Sequence, residues 1–455
     1  MAVAAVLGGP AERSGHRVPA LRRLPVPLTL GLCLALLLTA GGVVLARVAP
    51  QVADVPLASG TVALAPDGRV VEVPSGTTDL VPGTRVLEGP GSARAVAAEQ
   101  AWLAAGSVPA VPGLGTDLTR GALLDLHVLT QAYGVPVAGW TGPWRYVWPR
   151  DAAFAAVAFA RTGHIEDADR VLDFLGRVQP TDGVFQARYL PDGSGVPDDR
   201  GTQLDGVGWA LWATAGVAGT VPPAGRPAFV ARHRALLERS QAAALAATAG
   251  PTGLPPASPD YWEVAERRPT LATAAVLKAG LQAAARLQTM AGDGLAAARA
   301  AAGAERLDRA VTLAFAPAGF PRRLGGRAGS VDLGVALLLP PFADEVDPAA
   351  YARYASAGPV LARPAGGLAP GGSWRRDGVS WTPTTATWAL VAAGCGDRES
   401  AVGWLRWLAA HRTAEGSLPE KVLADGRPAA VAPLAWTAAA VVLTATELDG
   451  ARPAS

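Results

Sequence analysis

Few residues in this sequence of 455 could staple it or hold a metal. There are two cysteines, Cys33 in an apolar N-terminal stretch and Cys395 alone beyond it. No disulfide can therefore close the main body, which has to stand on its core. The five histidines are scattered without metal-ligand spacing, which argues against a zinc site. Lysine occurs twice, as Lys278 and Lys421, so nearly all positive charge is arginine. A net charge of +2 gives no reason to expect a nucleic-acid partner.

Apolar side chains are plentiful. They make up 50% of the chain, with alanine abundant, so a large helical core is within reach. The length suits a single all-helical barrel.

Residues 1–25 read as a loose basic tail, with Arg13, Arg17, Arg22 and Arg23 against Glu12. Residues 26–46 carry no charge over 21 positions, enough to cross a bilayer as a helix. Arginines on the N-terminal side place that end in the cytoplasm and the rest outside. Leu32 stands before Cys33, so the small residue of a lipidation site is missing. The expectation is an uncleaved signal anchor, a single-pass membrane protein with its main domain extracytoplasmic.

Residues 47–92 read as a short β segment or stalk. Alternation around Pro66-Asp67-Gly68 predicts a hairpin, and a second short pair runs toward Leu87. From 93 to 450 the periodicity predicts helix after helix, over 93–105, 117–133, 150–161, 165–178, 202–217, 227–248, 269–290, 294–314, 330–339, 347–356, 383–395, 398–411 and 433–448. Long and short connections alternate, as in a toroid of helical hairpins whose long loops gather at one rim. An internal match supports this. Residues 171–193, with Asp182-Gly183 and Asp192-Gly193, share their spacing with 404–426, which carry Glu415-Gly416 and Asp425-Gly426.

The chemistry-bearing stretch is 144–154. Trp144, Tyr146 and Trp148 lead into Arg150 and Asp151, and a small-residue helix follows. Indole faces stack on the apolar faces of sugar rings. An adjacent guanidinium and carboxylate match vicinal hydroxyls. The bland alternative is a helix N-terminus with Asp151 placed by the macrodipole. Glycoside hydrolysis needs two carboxyl groups, and two glutamates stand out: Glu263 in Asp260-Tyr-Trp262-Glu, and Glu420 in Ser417-Leu-Pro-Glu-Lys421. Trp262 and the Pro255-Pro256 loop are expected to desolvate Glu263 as an acid requires, and Lys421 to keep Glu420 ionised.

Taken together, Tyr146-Val-Trp-Pro-Arg-Asp, Leu172-Asp-Phe-Leu, Gln203-Leu-Asp, Trp262-Glu, Leu418-Pro-Glu and Pro433-Leu-Ala-Trp436 resemble glycoside hydrolase family 15, the glucoamylase-like group. Order and spacing match over roughly residues 115–447. The resemblance implies an (α/α)6 barrel and an inverting exo-hydrolase of terminal α-linked glucose, with no metal and no cofactor. It implies that Glu263 is the general acid and Glu420 the general base. Arg150 and Asp151 then grip the terminal glucose, with Tyr146 and Trp148 as walls and Asp260 as the carboxylate before the acid. Arg375 or Arg376, and Trp381, match further sugar-binding positions. Several residues depart from the family pattern: Val264 follows the acid, Gly206 follows the Gln-Leu-Asp motif, and Lys421 replaces a usual glutamine. A trehalase-like disaccharide hydrolase and a non-catalytic carbohydrate-binding envelope protein stay open as alternatives.

Overall fold

The computed structural model describes residues 53–450. The basic tail and the anchor expected at 26–46 lie outside the described residues. Among those described, no helix is long and apolar enough to cross a membrane.

The hairpin forms where alternation predicts it. Strand β1 (Thr61–Leu64) pairs antiparallel with β2 (Val70–Val73). Gly68 takes the left-handed φ of 85° that the turn requires. The hairpin is not a free stalk, however. Every residue of β1 is buried; the Ser59 hydroxyl donates to the Ala432 carbonyl at 2.9 Å, and the Thr61 and Ser417 hydroxyls meet at 2.6 Å. This segment is a cover laid on the helical body.

Thirteen α-helices follow among the described residues: α1 (Ser92–Ala105), α2 (Asp117–Gln131), α3 (Pro149–Arg161), α4 (Ile165–Val178), α5 (Asp205–Thr220), α6 (Arg226–Arg232), α7 (Arg234–Ala247), α8 (Leu271–Met290), α9 (Gly294–Phe315), α10 (Pro348–Leu361), α11 (Thr382–Gly394), α12 (Arg398–Ala410) and α13 (Ala435–Asp449). Departures from the periodicity have local causes. The helix expected over 227–248 breaks at His233, whose ring bonds Asp169 at 2.6 Å. The helix expected over 330–339 is a 3-10 segment, Leu333–Leu338, started by Asp332 accepting from the Gly334 amide at 3.0 Å. The helix expected from 202 starts at Asp205; ahead of it the Gln203 amide donates to the Phe185 carbonyl at 2.9 Å.

The elements close into two rings. Inside, α3 packs on α5, α5 on α8, α8 on the 3-10 segment, that segment on α11, α11 on α13, and α13 back on α3. Each inner element has an outer partner, in turn α4, α7, α9, α10, α12 and α2. Inner and outer elements alternate along the chain, so the inner six run in the same direction. Their faces are apolar all round, as a doubly packed helix requires; every residue of α3 except Arg161 is buried. The barrel is therefore six inner and six outer segments, with one inner helix shortened to six residues of 3-10.

The internal repeat is real in three dimensions. Gly183 and Gly416, and Gly193 and Gly426, all have positive φ, between 79° and 90°. The amides of Gly183 and Gly416 each close a turn three residues back, onto Pro180 and Thr413, at 3.0 and 2.9 Å.

Candidate active site

A cavity of about 350 Å³ opens at the N-terminal ends of the inner ring, a size within the range of small-molecule sites. Its wall is assembled from segments far apart in sequence. Trp148, Arg150 and Asp151 come from the start of α3, and Tyr261, Trp262 and Glu263 from the loop before α8. Trp381 and Thr384 come from the start of α11, Trp436 from α13, and Glu420 from the loop that precedes strand β4 (Lys421–Val422).

The start of α3 shows why its residues belong together. Pro149 occupies the first helical turn, where its missing amide costs nothing and its fixed φ suits the helix. Asp151 sits in the same turn, favoured by the helix dipole. The helix-cap reading and the binding reading are thus compatible. Arg150 Nη2 bonds Asp151 Oδ2 at 2.8 Å, and its guanidinium lies 4.3 Å over the Trp436 ring. Arg150 Nε and Nη1 are buried and carry no hydrogen bond. Burial pushes the Asp151 carboxyl upward against the pull of Arg150. Behind them Asp205, at the start of α5, is lifted to about 7, chiefly by burial.

Glu420 stands at the edge of a small three-stranded sheet made of β3 (Ser380–Trp381), β4 and β5 (Pro428–Ala429). Its amide bonds the Val431 carbonyl at 2.8 Å and its carbonyl accepts from the Thr382 amide at 3.0 Å. This backbone clamp fixes where the carboxylate points. Trp144 Nε1 donates to Oε1 at 3.3 Å, and Lys421 Nζ lies 3.1 Å from Oε2 as an ion pair. That ammonium also sits 4.4 Å over the Trp381 ring.

Glu263 differs from its expected surroundings. Its backbone has a left-handed φ of 53°, and its amide bonds the Asp260 carbonyl at 2.7 Å. A non-glycine residue held there is strained, which is common at functional positions. Neither Pro255 nor Pro256 lines the cavity, and the Trp262 ring is taken up 3.8 Å beneath the Arg322 guanidinium. Instead Arg200 bonds Glu263 Oε2, and Arg150 Nη2 lies 4.0 Å from Oε1. The acid candidate rests between two guanidinium groups.

Three expected site residues stand off the cavity wall. Asp260 is fully buried and bonds Arg322 at 2.7 Å and the Trp262 amide at 3.0 Å. It anchors the Glu263 turn from below. Tyr146 lies behind the wall, 4.6 Å from the Arg188 guanidinium. Arg375 is exposed, 5.9 Å from the Trp374 ring. Glu266 does not reach the cavity either; Arg322 and Arg323 hold it. Trp144 and Trp436, which stand in stretches already noted, also line the cavity, as do Trp374, Arg188 and Arg200, which were not singled out. Arg188 and Arg200 lie in the rim loop between α4 and α5; Arg200 folds back onto Glu263, and Arg188 lies over the Tyr146 and Trp148 rings.

No family model matches the chain. A stretch of 99 residues is 31% identical to an uncharacterized glycosyl hydrolase of Methanocaldococcus jannaschii, covering 21% of this chain and 16% of that protein. A glycosidase variant solved in complex with glucose superposes with a TM-score of 0.62 at 23% identity, over 73% of this chain and 96% of its own. A bacterial glucoamylase solved in complex with acarbose superposes with a TM-score of 0.59 at 18% identity, over 74% of this chain and 56% of its own. At those identities the likeness is one of architecture. The fold is the helical barrel of glucoamylase-like proteins.

Proposed function

We propose that this chain is a glycoside hydrolase of glucoamylase type, acting on a terminal α-linked glucose with inversion of the anomeric carbon. The observation that carries the reading is that Glu263 and Glu420, 157 positions apart, line one cavity with the Arg150–Asp151 pair. The glycosidases and glucoamylase that share the architecture, two of them solved with glucose and with acarbose, support it.

In this reading Arg150 and Asp151 bind the hydroxyls of the terminal glucose. The free Arg150 donors and the Asp151 carboxylate supply both hydrogen-bonding senses. Trp148 and Trp436 wall the ring. Glu263 gives its proton to the glycosidic oxygen as the bond from the anomeric carbon breaks. Glu420 takes a proton from the water that attacks the opposite face, so the glucose leaves as the β-anomer. Proton exchange with solvent resets both groups. We further propose that residues 26–46 anchor the protein in the membrane, with the barrel outside the cytoplasm. The protein should then sediment with membranes.

The test is proton NMR of freshly cleaved maltooligosaccharides, with trehalose and other α-glucosides in the same panel. β-Glucose as first product is expected, and Glu263→Gln and Glu420→Gln should each lower kcat by about 10²–10⁴-fold. α-Glucose as first product, or full turnover in either variant, would overturn the roles. Sugar binding without hydrolysis of any panel member would leave a binding protein.

A further inference from the structure

Around the acid candidate three guanidinium groups face three carboxyls, and a fourth carboxyl, the buried Asp205, lies near Arg150. Arg150, Arg188 and Arg200 supply three positive charges, and Asp151, Asp198 and Glu263 three negative ones. Lys421 and Glu420 balance each other separately. A general acid has to hold its proton when substrate arrives. With Glu263 protonated, Arg200 keeps only one of its two carboxylate partners, Asp198.

The carboxylate partners are unevenly shared. Arg150 has its own carboxylate in Asp151, at 2.8 Å. Arg188 and Arg200 share a single one, Asp198, which Arg200 Nε approaches at 3.3 Å and Arg188 bonds directly. Arg188 is buried and held in place. One of its Nη atoms donates to the Pro143 carbonyl at 2.7 Å, its guanidinium stacks 4.9 Å from the Trp148 ring, and Nε has no partner. Arg200 meets Glu263 at the carboxyl oxygen other than the one nearest Arg150. In the proposed reaction Arg150 marks the terminal glucose, so Arg200 and Arg188 mark the leaving group.

We infer that the leaving group of the natural substrate carries an anionic substituent, a carboxylate or a phosphate ester, read by Arg200 and Arg188. That anion takes over the guanidinium donors of Arg200 and releases Glu263 to hold a proton beside the glycosidic oxygen. The bidentate fork of arginine suits both groups. Arg200 is then a specificity-determining residue rather than an acid or base. The inference rests on the hydrolase reading above.

The test uses two α-glucosides that differ only in charge, 2-O-α-glucosylglycerol and 2-O-α-glucosylglycerate, on the full chain. The glycerate should have a kcat/KM at least about tenfold higher, which one charge-assisted hydrogen bond more than covers. That ratio should fall toward one in Arg200→Gln and recover in Arg200→Lys. Equal or better turnover of the neutral glucoside, or an unchanged ratio in both Arg200→Gln and Arg188→Gln, would overturn the inference. Glu263→Gln mimics the protonated acid and separates the two failures. Calorimetry on that variant should show tighter binding of the glycerate than of the glycerol glucoside, whether or not the wild type hydrolyses either. Equal affinities there would sink the charge argument on its own, while absence of hydrolysis with the affinity difference intact would sink only the hydrolase reading.

Discussion

At the scale of single residues, the decisive one beneath the site is Arg322. It is 1% exposed and satisfies three buried carboxylates, Asp260 at 2.7 Å, Glu266 at 2.8 Å and Asp332 at 2.8 Å. Tyr261 closes the network, donating to Asp332 at 2.8 Å. Asp260 in turn caps the turn that forces Glu263 into its left-handed backbone. Arg322→Met leaves Asp260 and Asp332 without a cation, while Glu266 keeps Arg323, and loss of one partner of a buried ion pair costs about 3–5 kcal/mol. Urea unfolding should show a lowered midpoint of that order. Arg322→Lys should recover only part of it, since an ammonium cannot reproduce the planar fork.

Between elements, α5 and α8 approach backbone to backbone at two glycines. A Cβ on Gly208 would lie 2.2 Å from the Val276 carbonyl oxygen, and one on Gly280 would lie 2.6 Å from the Gly208 Cα. The obstacles are backbone atoms, which cannot swing aside. Gly208→Ala and Gly280→Ala should therefore each cost about 1–3 kcal/mol by overpacking. A fall in the thermal midpoint of either variant checks it; unchanged midpoints would mean the helices are farther apart. A second junction joins α1 to α2 and α4. The Trp102 ring is sandwiched between His127 at 4.1 Å and His164 at 3.8 Å, and its Nε1 donates to Asp167 at 2.8 Å. Burial, with His164 adding to it against Asp167, pulls the His127 imidazole from 6.5 to about 4. The unfolded chain binds a proton below 6.5 that the native chain refuses until about 4. Stability is thus complete above the upper value and is lost as pH falls toward the lower one, by about 3 kcal/mol. Unfolding curves from neutral to about pH 4 should show that slope, and His127→Phe should flatten it.

For the whole molecule, the N-terminal cover is part of the barrel's stability. Arg85 Nε bonds Asp125 at 2.6 Å, both buried, and the Arg85 amide reaches both Glu99 carboxylate oxygens at 3.0 Å. Removing residues 53–90 deletes Arg85 and strands Asp125 in α2. The shortened chain should lose at least about 3 kcal/mol in denaturant. An unshifted midpoint would show the cover to be separable. Much of the molecule was legible beforehand. The helix positions follow from apolar periodicity, and the repeated acidic-Gly turns from spacing. Trp148, Arg150, Asp151, Trp262, Glu263, Trp381 and Glu420 stand in local patterns that mark them for one wall. Other features were not legible. The 3-10 inner segment reads like any short apolar helix, because periodicity does not report how much room a ring leaves. Asp260 reads like a sugar ligand, because sequence does not show the Arg322 that occupies it.

By itself the sequence determined what depends on neighbours along the chain: the helix that opens at Pro149, glycine turns, the hairpin, and the residue types available for acid–base work. Only the tertiary structure decided what those residues face. Whether Glu263 meets tryptophan or guanidinium, and whether Arg188 and Arg200 belong to the cavity, depends on how a rim loop folds back across the ring. The Arg200–Glu263 contact joins residues 63 positions apart, and no local propensity encodes it.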